Sequence, residues 1–527
     1  MTASLDLACS LSAKVIPAGG GPRLVYLLID ITGGESVDTI PSNLGFVIDT
    51  SESMRIRLVT DEQFADLVKK GQAQEVMTDG VPAYQITAIS DDQVARFPRR
   101  IDFVVDALKV ASEYLRPVDY FSVVTFAGWA HKMIPSVSGK ERARLKQAAR
   151  ELEYLRLGEG TQMAEGLALA FSEMQSQSNK EYASRMILLT DGHTLNVNEC
   201  YEWARKAREN GYKLSTMGIG AEFNEDLLIP LADQTNGNAY YIESPDKIPE
   251  AFQKELGAAL RITYRNVEVK LQLASDVELR RVYRALPEIS TFDQGPNLGG
   301  GDQDSSYSLL VGDYDPAAPV ALLLELVIPP LPVGNYRLAQ ALLAWERPIT
   351  EGTRFTEGTR LSEGTRLSEG TRLSEGTRLS EGTRLSESTQ SAENTSANDN
   401  KGSSEGTPPD RIGRTNLRQE VVACISSAET ARLNERVMNI VERIGAFKMG
   451  SLALEAAQSA AISTNSNEKG AATIRLRQAA TRLLDLGEAA LADTMLRQAD
   501  ALESSGGIDP EATKKLRYET RRITQHQ

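Results

Sequence analysis

The stretch Leu44 to Met54, reading LGFVIDTSESM, constrains this chain more than any other. Leu44 to Ile48 is a short apolar run with no polar face, the pattern of a strand buried on both sides. Such a strand belongs in a sheet that helices cover on both faces. The run ends abruptly in Asp49-Thr50-Ser51-Glu52-Ser53, which places the polar cluster at the strand's carboxyl end. In open α/β sheets, ligands bind at that edge. Asp49, Ser51 and Ser53 present one carboxylate and two hydroxyls on a tight turn. These are hard oxygen donors, the type that suits Mg2+, Ca2+ or Mn2+. Taken alone, an Asp followed by serines is more often a turn or a helix N-cap.

Two further stretches narrow the choice. Gly158-Glu159-Gly160-Thr161 forms a loop ahead of the helical run Met163 to Met174. Met186 to Leu189 is a second buried-strand run, and it ends in Thr190-Asp191-Gly192. They add a hydroxyl and a second carboxylate from distant positions, each at the edge of an element. Together Asp49, Ser51, Ser53, Thr161 and Asp191 resemble the metal-ion-dependent adhesion site of the von Willebrand factor A domain, over roughly Leu44 to Leu260. The resemblance implies a divalent cation, Mg2+ or else Mn2+ or Ca2+, held by these residues. The serines and the threonine or second aspartate would bind it, and the remaining carboxylates would act directly or through water. One coordination position would stay open for an acidic residue of a protein partner. Glu52 departs from the family, which usually has glycine there. A carboxylate at that place either strengthens cation binding or obstructs the partner's acid.

Around this core the chain divides by pattern. Residues 1–43 hold two strand-like runs, Leu5 to Val15 and Arg23 to Ile31, separated by a Pro- and Gly-rich turn. A lone hairpin is marginal in water, so it is expected to join a sheet elsewhere. Residues 44–260 alternate buried strands with amphipathic helices, which predicts a doubly wound, mostly parallel α/β sheet. An insertion of about 55–100 interrupts them beside the metal edge, as a lid or as a surface excursion. From 261 to 350 the period changes: Val267, Val269, Leu271 and Leu273 alternate with Glu268, Lys270 and Gln272. This predicts a β-sandwich, with the α/β domain inserted in it and residues 411–429 giving its last strand. Asp302 and Asp304 read as solvated loop residues. Residues 351–410 are low in complexity, beginning with six Glu-Gly-Thr-Arg-x-x hexapeptides, mostly EGTRLS. One large apolar residue per hexapeptide is too little for a solenoid core, so disorder is expected.

The last part, 430–527, is helical, with expected helices at Thr430 to Phe447, Ser451 to Ile462 and Ala472 to Leu502. An apolar stripe at Leu476, Ala479, Ala480, Leu483, Leu484 and Leu486 marks a helical-hairpin core. The basic tip Lys514 to Arg522 reads as a solvated end.

The chain has 527 residues, room for roughly two to four domains. Its net charge of −14 argues against nonspecific binding to nucleic acid or anionic membrane. Cys9, Cys200 and Cys424 are far apart and fit a reducing compartment. The N-terminus lacks the pattern of a secretory signal. The apolar stretch Val320 to Leu331 is too short to span a bilayer. A cytoplasmic protein is expected.

No His-Glu-x-x-His, P-loop or Gly-x-Ser-x-Gly motif occurs. The leading reading is a cation-dependent protein-protein interaction module on a multidomain scaffold, and not an enzyme. By analogy of architecture, its partner would be a protein such as an AAA-type ATPase. Two alternatives use the same site. One is a metal-dependent hydrolase with His193 as base. The other is a scaffold whose metal is purely structural.

Overall fold

The computed structural model describes residues 5–348 and 412–525, apart from 35–38, 60, 79–80, 87–88, 91–92, 94–95, 178–181, 195, 221, 293–305 and 428–431. Three strands open it: β1 (Leu5–Leu11), β2 (Val15–Pro17) and β3 (Arg23–Gly33). β1 and β3 pair antiparallel, with Leu5 opposite Gly33 and Leu11 opposite Leu27. β4 (Ser42–Asp49) follows. Helix α1 (Asp61–Lys69) and the hairpin β5 (Ala73–Thr78) and β6 (Val81–Ile86) occupy the insertion.

The alternation then runs α2 (Arg100–Tyr114), β7 (Tyr120–Phe126), β8 (Ala130–Ser138), α3 (Ala143–Leu152), α4 (Met163–Gln175) and β9 (Ala183–Thr190). It closes with α5 (Val197–Glu209), β10 (Lys213–Ile219), α6 (Glu225–Gln234), β11 (Ala239–Ile242) and α7 (Ile248–Leu260). Six strands lie in the order β11-β10-β9-β4-β7-β8, and β8 alone runs antiparallel to its neighbour. The chain winds outward from β4 to β8, then restarts beside β4 with β9 and winds outward to β11. The winding therefore reverses between β4 and β9.

All eight residues of β4 are buried, as its two apolar faces require. Leu44, Phe46 and Ile48 pack with α2, α3 and α7 on one face. Val47 packs with α4, α5 and α6 on the other. Helix α4 crosses the strand at Gly45, where a Cβ would come within 2.7 Å of Met174 Sδ.

Beyond α7 come β12 (Tyr264–Leu273), β13 (Glu278–Leu286), β14 (Ser290–Thr291), β15 (Ser306–Tyr314), β16 (Val320–Ile328), β17 (Gly334–Pro348) and β18 (Ile412–Ser426). They form two sheets, β1-β3-β16-β13-β14 and β15-β12-β17-β18-β2, around one shared apolar core. The α/β domain is inserted between β3 and β12. The sequence reading ran the first strand through Val15. In fact β2 leaves β1 and pairs in parallel with β18, Val15 opposite Cys424. The N-terminal segment thus contributes to both sheets. The hexapeptides and the pair Asp302 and Asp304 lie outside the described residues.

Four helices end the chain: α8 (Glu435–Ile462), α9 (Ser466–Asp485), α10 (Ala489–Ser504) and α11 (Pro510–Glu519). α8 runs unbroken through the buried Gly450, against the expected division there, because its buried face continues across it from Ile444 and Ala446 to Ala453 and Leu454. The expected helix from Ala472 to Leu502 is two helices. Gly487 adopts φ +81° and ends α9. Leu476, Ala479, Ala480 and Leu483 are buried in the helical core, and Leu484 is exposed.

The basic tip is not solvated. Lys514 and Arg521 are buried. Lys514 lies 3.1 Å from Glu225, and Arg522 Nε donates to Glu288 at 2.8 Å. Arg521 grips both oxygens of Asp233. These acids sit on or beside α6 and on the sandwich, so the tip is an internal tie. Among the described residues, no helix is long and apolar enough to cross a membrane.

Candidate metal centre

The reversal between β4 and β9 opens a crevice at the carboxyl edge of the sheet, the place where such folds take ligands. Asp49 ends β4, and Asp191 follows β9 directly. Both side chains are fully buried. Asp49 Oδ1 accepts from the Ser51 amide at 2.9 Å, and its Oδ2 accepts from Thr190 Oγ1 at 2.6 Å. Ser51 Oγ and Ser53 Oγ are 3.1 Å apart, and Ser53 Oγ donates to Asp191 Oδ1 at 2.7 Å. Thr161 arrives on its own loop, where Gly158 and Gly160 take φ of +76° and +102°. A side chain would strain both positions. A Cβ placed on Gly192 would lie 3.8 Å from Thr161 Oγ1 and 3.9 Å from Ser53 Oγ. The structure therefore brings all five residues read from the sequence to one edge.

Cross-links hold the loops in place. Thr194 Oγ1 donates to the Thr161 carbonyl at 2.8 Å, and Asn196 Nδ2 to Gln162 Oε1 at 2.9 Å. The Gln162 amide reaches the Ala127 carbonyl at 2.7 Å. Beneath the serine turn, Arg55 donates to the carbonyls of Glu153 and Leu152 at 3.1 and 3.2 Å. It ties the first motif to the chain that leads into the threonine loop. The sequence reading passed over Arg55, whose partners are carbonyls and carry no residue-type signal.

Arg100 was also missed. It is the first residue of α2, and its Nη1 donates to Asp191 Oδ2 at 2.6 Å. Glu222 stands 3.6 Å from the same nitrogen. The guanidinium is thus the counter-charge of the buried Asp191. Burial, then the neighbouring charge of Asp191, pushes the Asp49 carboxyl up to about 6, against hydrogen bonds from Ser51 and Thr190. Burial raises Asp191 as well, opposed by Ser53 and Arg100. Two carboxylates crowded together in a dry crevice call for added positive charge. Glu52 does not turn inward. It is exposed and lies 3.7 Å from Arg156, which is exposed as well.

The donor set fits a small hard cation. An octahedral ion with bonds of about 2.1 Å holds neighbouring oxygens about 3.0 Å apart. The Ser51–Ser53 and Ser53–Asp191 separations, 3.1 and 2.7 Å, are of that size. Among the described residues, no group of three or more His, Cys, Asp or Glu side chains forms an alternative metal cage. His193 is exposed on the loop after Asp191.

Residues 87–254 match the family described as von Willebrand factor type A domain. Residues 435–526 match the family described as Sll0103-like, C-terminal alpha-helical domain. The first match begins within the insertion, so β4 and its serine turn lie outside the matched span and join the domain only in three dimensions. Among curated relatives, Uncharacterized protein YfbK of Escherichia coli is 26% identical over 279 residues, covering 51% of this chain and 40% of that protein. Uncharacterized protein sll0103 of Synechocystis sp. is 24% identical over 285 residues, covering 51% of this chain and 66% of that one. The matches thus span less than two thirds of either relative. The solved structure titled von Willebrand factor type A from Catenulispora acidiphila has a TM-score of 0.64 at 15% identity, covering 98% of this chain and 96% of that one. That likeness extends the shared fold to the sandwich and the helices.

Proposed function

Because the chain carries a von Willebrand factor type A domain at residues 87–254, we propose that it is a protein-interaction scaffold whose binding depends on a divalent cation. Mg2+ is the preferred ion, with Mn2+ a substitute and Ca2+ a poorer one, since Ca2+ takes longer bonds and more ligands. Ser51, Ser53 and Thr161 would supply hydroxyls, and Asp49 and Asp191 would supply charge, directly or through water. The ion's remaining position would take an Asp or Glu carboxylate of the partner. A single observation carries the reading: two buried carboxylates and the hydroxyls of three motifs meet at the switch point of the sheet.

The test is a peptide-display selection on the immobilised full chain in Mg2+. Enriched peptides should share an acidic residue, and a chelator should elute them. Asp49→Ala should lose both cation binding, read by calorimetry, and peptide capture. Peptides that stay bound in chelator, or that bind the Asp49→Ala variant equally well, would overturn the proposal. A metal that only braces the fold would give lower thermal stability in chelator with peptide capture intact.

A further inference from the structure

The sheet has a second functional candidate at its other edge. Arg185 and Lys213 stand near the starts of β9 and β10, and Asn236 and Asn238 precede β11. They are about 20 Å from the aspartate edge along the strands. Here the α/β domain, the sandwich and the end of the helical region enclose a cavity of about 670 Å3. This is the size of a small-molecule site.

Its charges are unevenly satisfied. The acids on the cavity wall each have a cation. Asp30 is held by Arg436 at 2.6 Å, Asp315 by Arg261 at 2.8 Å and Glu288 by Arg522 at 2.8 Å. Asp313 lies 4.0 Å from Arg265. Arg185 is spoken for as well. Its Nη1 donates at 2.6 Å to the buried Glu255, which also accepts from Ser215, Asn238 and Tyr240.

Among the described residues, three cations on the wall have no carboxylate within hydrogen-bond distance: the exposed Lys254, and Lys213 and Arg284. Lys213 Nζ donates to the backbone carbonyl of Asp313 at 2.7 Å. Among the described residues it makes no ion pair with a carboxylate. Arg284 is buried, and its Nε and Nη2 have no hydrogen-bond partner among the described residues. Its nearest acid, Asp233, is 3.8 Å away and already gripped by Arg521. A buried guanidinium edge left unbonded is costly, and carboxylates and phosphates, which can accept two parallel N–H bonds, are the groups that match it.

We propose that this cavity is a binding site for a small molecule bearing a carboxylate or phosphate group, held by Lys213 and Arg284. A ligand there would touch all three modules at once, so its binding would lock them together. Titration supports the geometry. Lys213 is pushed down to about 8 by desolvation first, then by Arg185, with Arg284 acting in the same sense and Asp313 and Glu255 opposing. An anion would restore the charged form, so binding would take up a proton. Affinity should fall as pH rises through about 8.

The test uses the full chain, inorganic phosphate, malonate, and sodium chloride at matched ionic strength, with calorimetry and thermal unfolding as readouts. Expected is saturable binding of phosphate or malonate with a rise in melting temperature beyond that given by chloride. Which of the two binds names the class. Arg284→Gln and Lys213→Met should each weaken it at least about tenfold, while Asp49→Ala, at the far edge, should leave it unchanged. Should either variant fail to fold, the wild-type pH series decides. Loss of affinity between pH 7 and 9 supports the site. The proposal is overturned if neither anion saturates, if affinity is flat across that range, or if folded Arg284→Gln binds as wild type does.

Discussion

Arg100→Gln is the most informative perturbation of the aspartate edge. The Arg100 guanidinium is 2.6 Å from Asp191, whose side chain is fully buried, and Arg100 itself is only 14% exposed. At an effective dielectric near 20 the gross attraction at that separation is about 6 kcal/mol, much of it offset by desolvation of both groups. Removing one partner of a buried pair costs about 3–5 kcal/mol. Ser53 still donates to Asp191, which favours the low end, about 3 kcal/mol. In chelator the variant should therefore unfold several degrees below wild type. A dication at Asp191 would supply the lost counter-charge. It also need not compete with a guanidinium for the same oxygen. Mg2+ should thus bind the variant at least about tenfold tighter, about 1.4 kcal/mol. At a Mg2+ concentration about a hundredfold over the variant's Kd, the ion adds about 2.7 kcal/mol to the variant and about 1.4 kcal/mol to wild type, so the deficit should shrink by about 1.3 kcal/mol in Mg2+. Calorimetric titration with Mg2+ and thermal unfolding in chelator and in Mg2+ measure both quantities. Unchanged or weaker Mg2+ affinity, with a deficit that Mg2+ does not relieve, would refute the argument that the cation and Arg100 share Asp191.

Other outcomes follow from the same geometry. Thr161→Ala should weaken Mg2+ binding and acidic-peptide capture together, measured by calorimetry, because the hydroxyl faces Ser53 across Gly192. Glu52→Gly should change Mg2+ affinity by less than about 0.5 kcal/mol, since exposed pairs such as Glu52 with Arg156 are worth little. Arg521→Met should cost about 3 kcal/mol by leaving the partly buried Asp233 without its main cation. It should also open the chain after α10 to limited proteolysis, whereas exposed Arg205→Gln should do neither.

The buried-strand reading of β4 and β9 was legible because it is local. An apolar run without a polar face implies burial on both sides, and a polar cluster at its end implies a sheet edge. The Thr161 loop was legible for a similar reason, since Gly158 and Gly160 mark a turn that few other residues can make. Helix boundaries at Gly450 and Gly487 were misjudged because glycine serves two purposes. At Gly450 it sits inside one continuous helix, and at Gly487 it takes a positive φ that ends one. Only the tertiary structure decided the rest. Arg100 is 91 residues from Asp191 in the chain, and nothing in its neighbourhood distinguishes it from the arginine before it. The basic end of the chain has the composition of a solvated tail, yet its acids on the sandwich and on α6 are 234 to 291 residues away. A charge's role depends on which opposite charge folding brings beside it and how much water folding removes. Local sequence shows that a residue can carry charge, and three-dimensional packing settles what that charge meets.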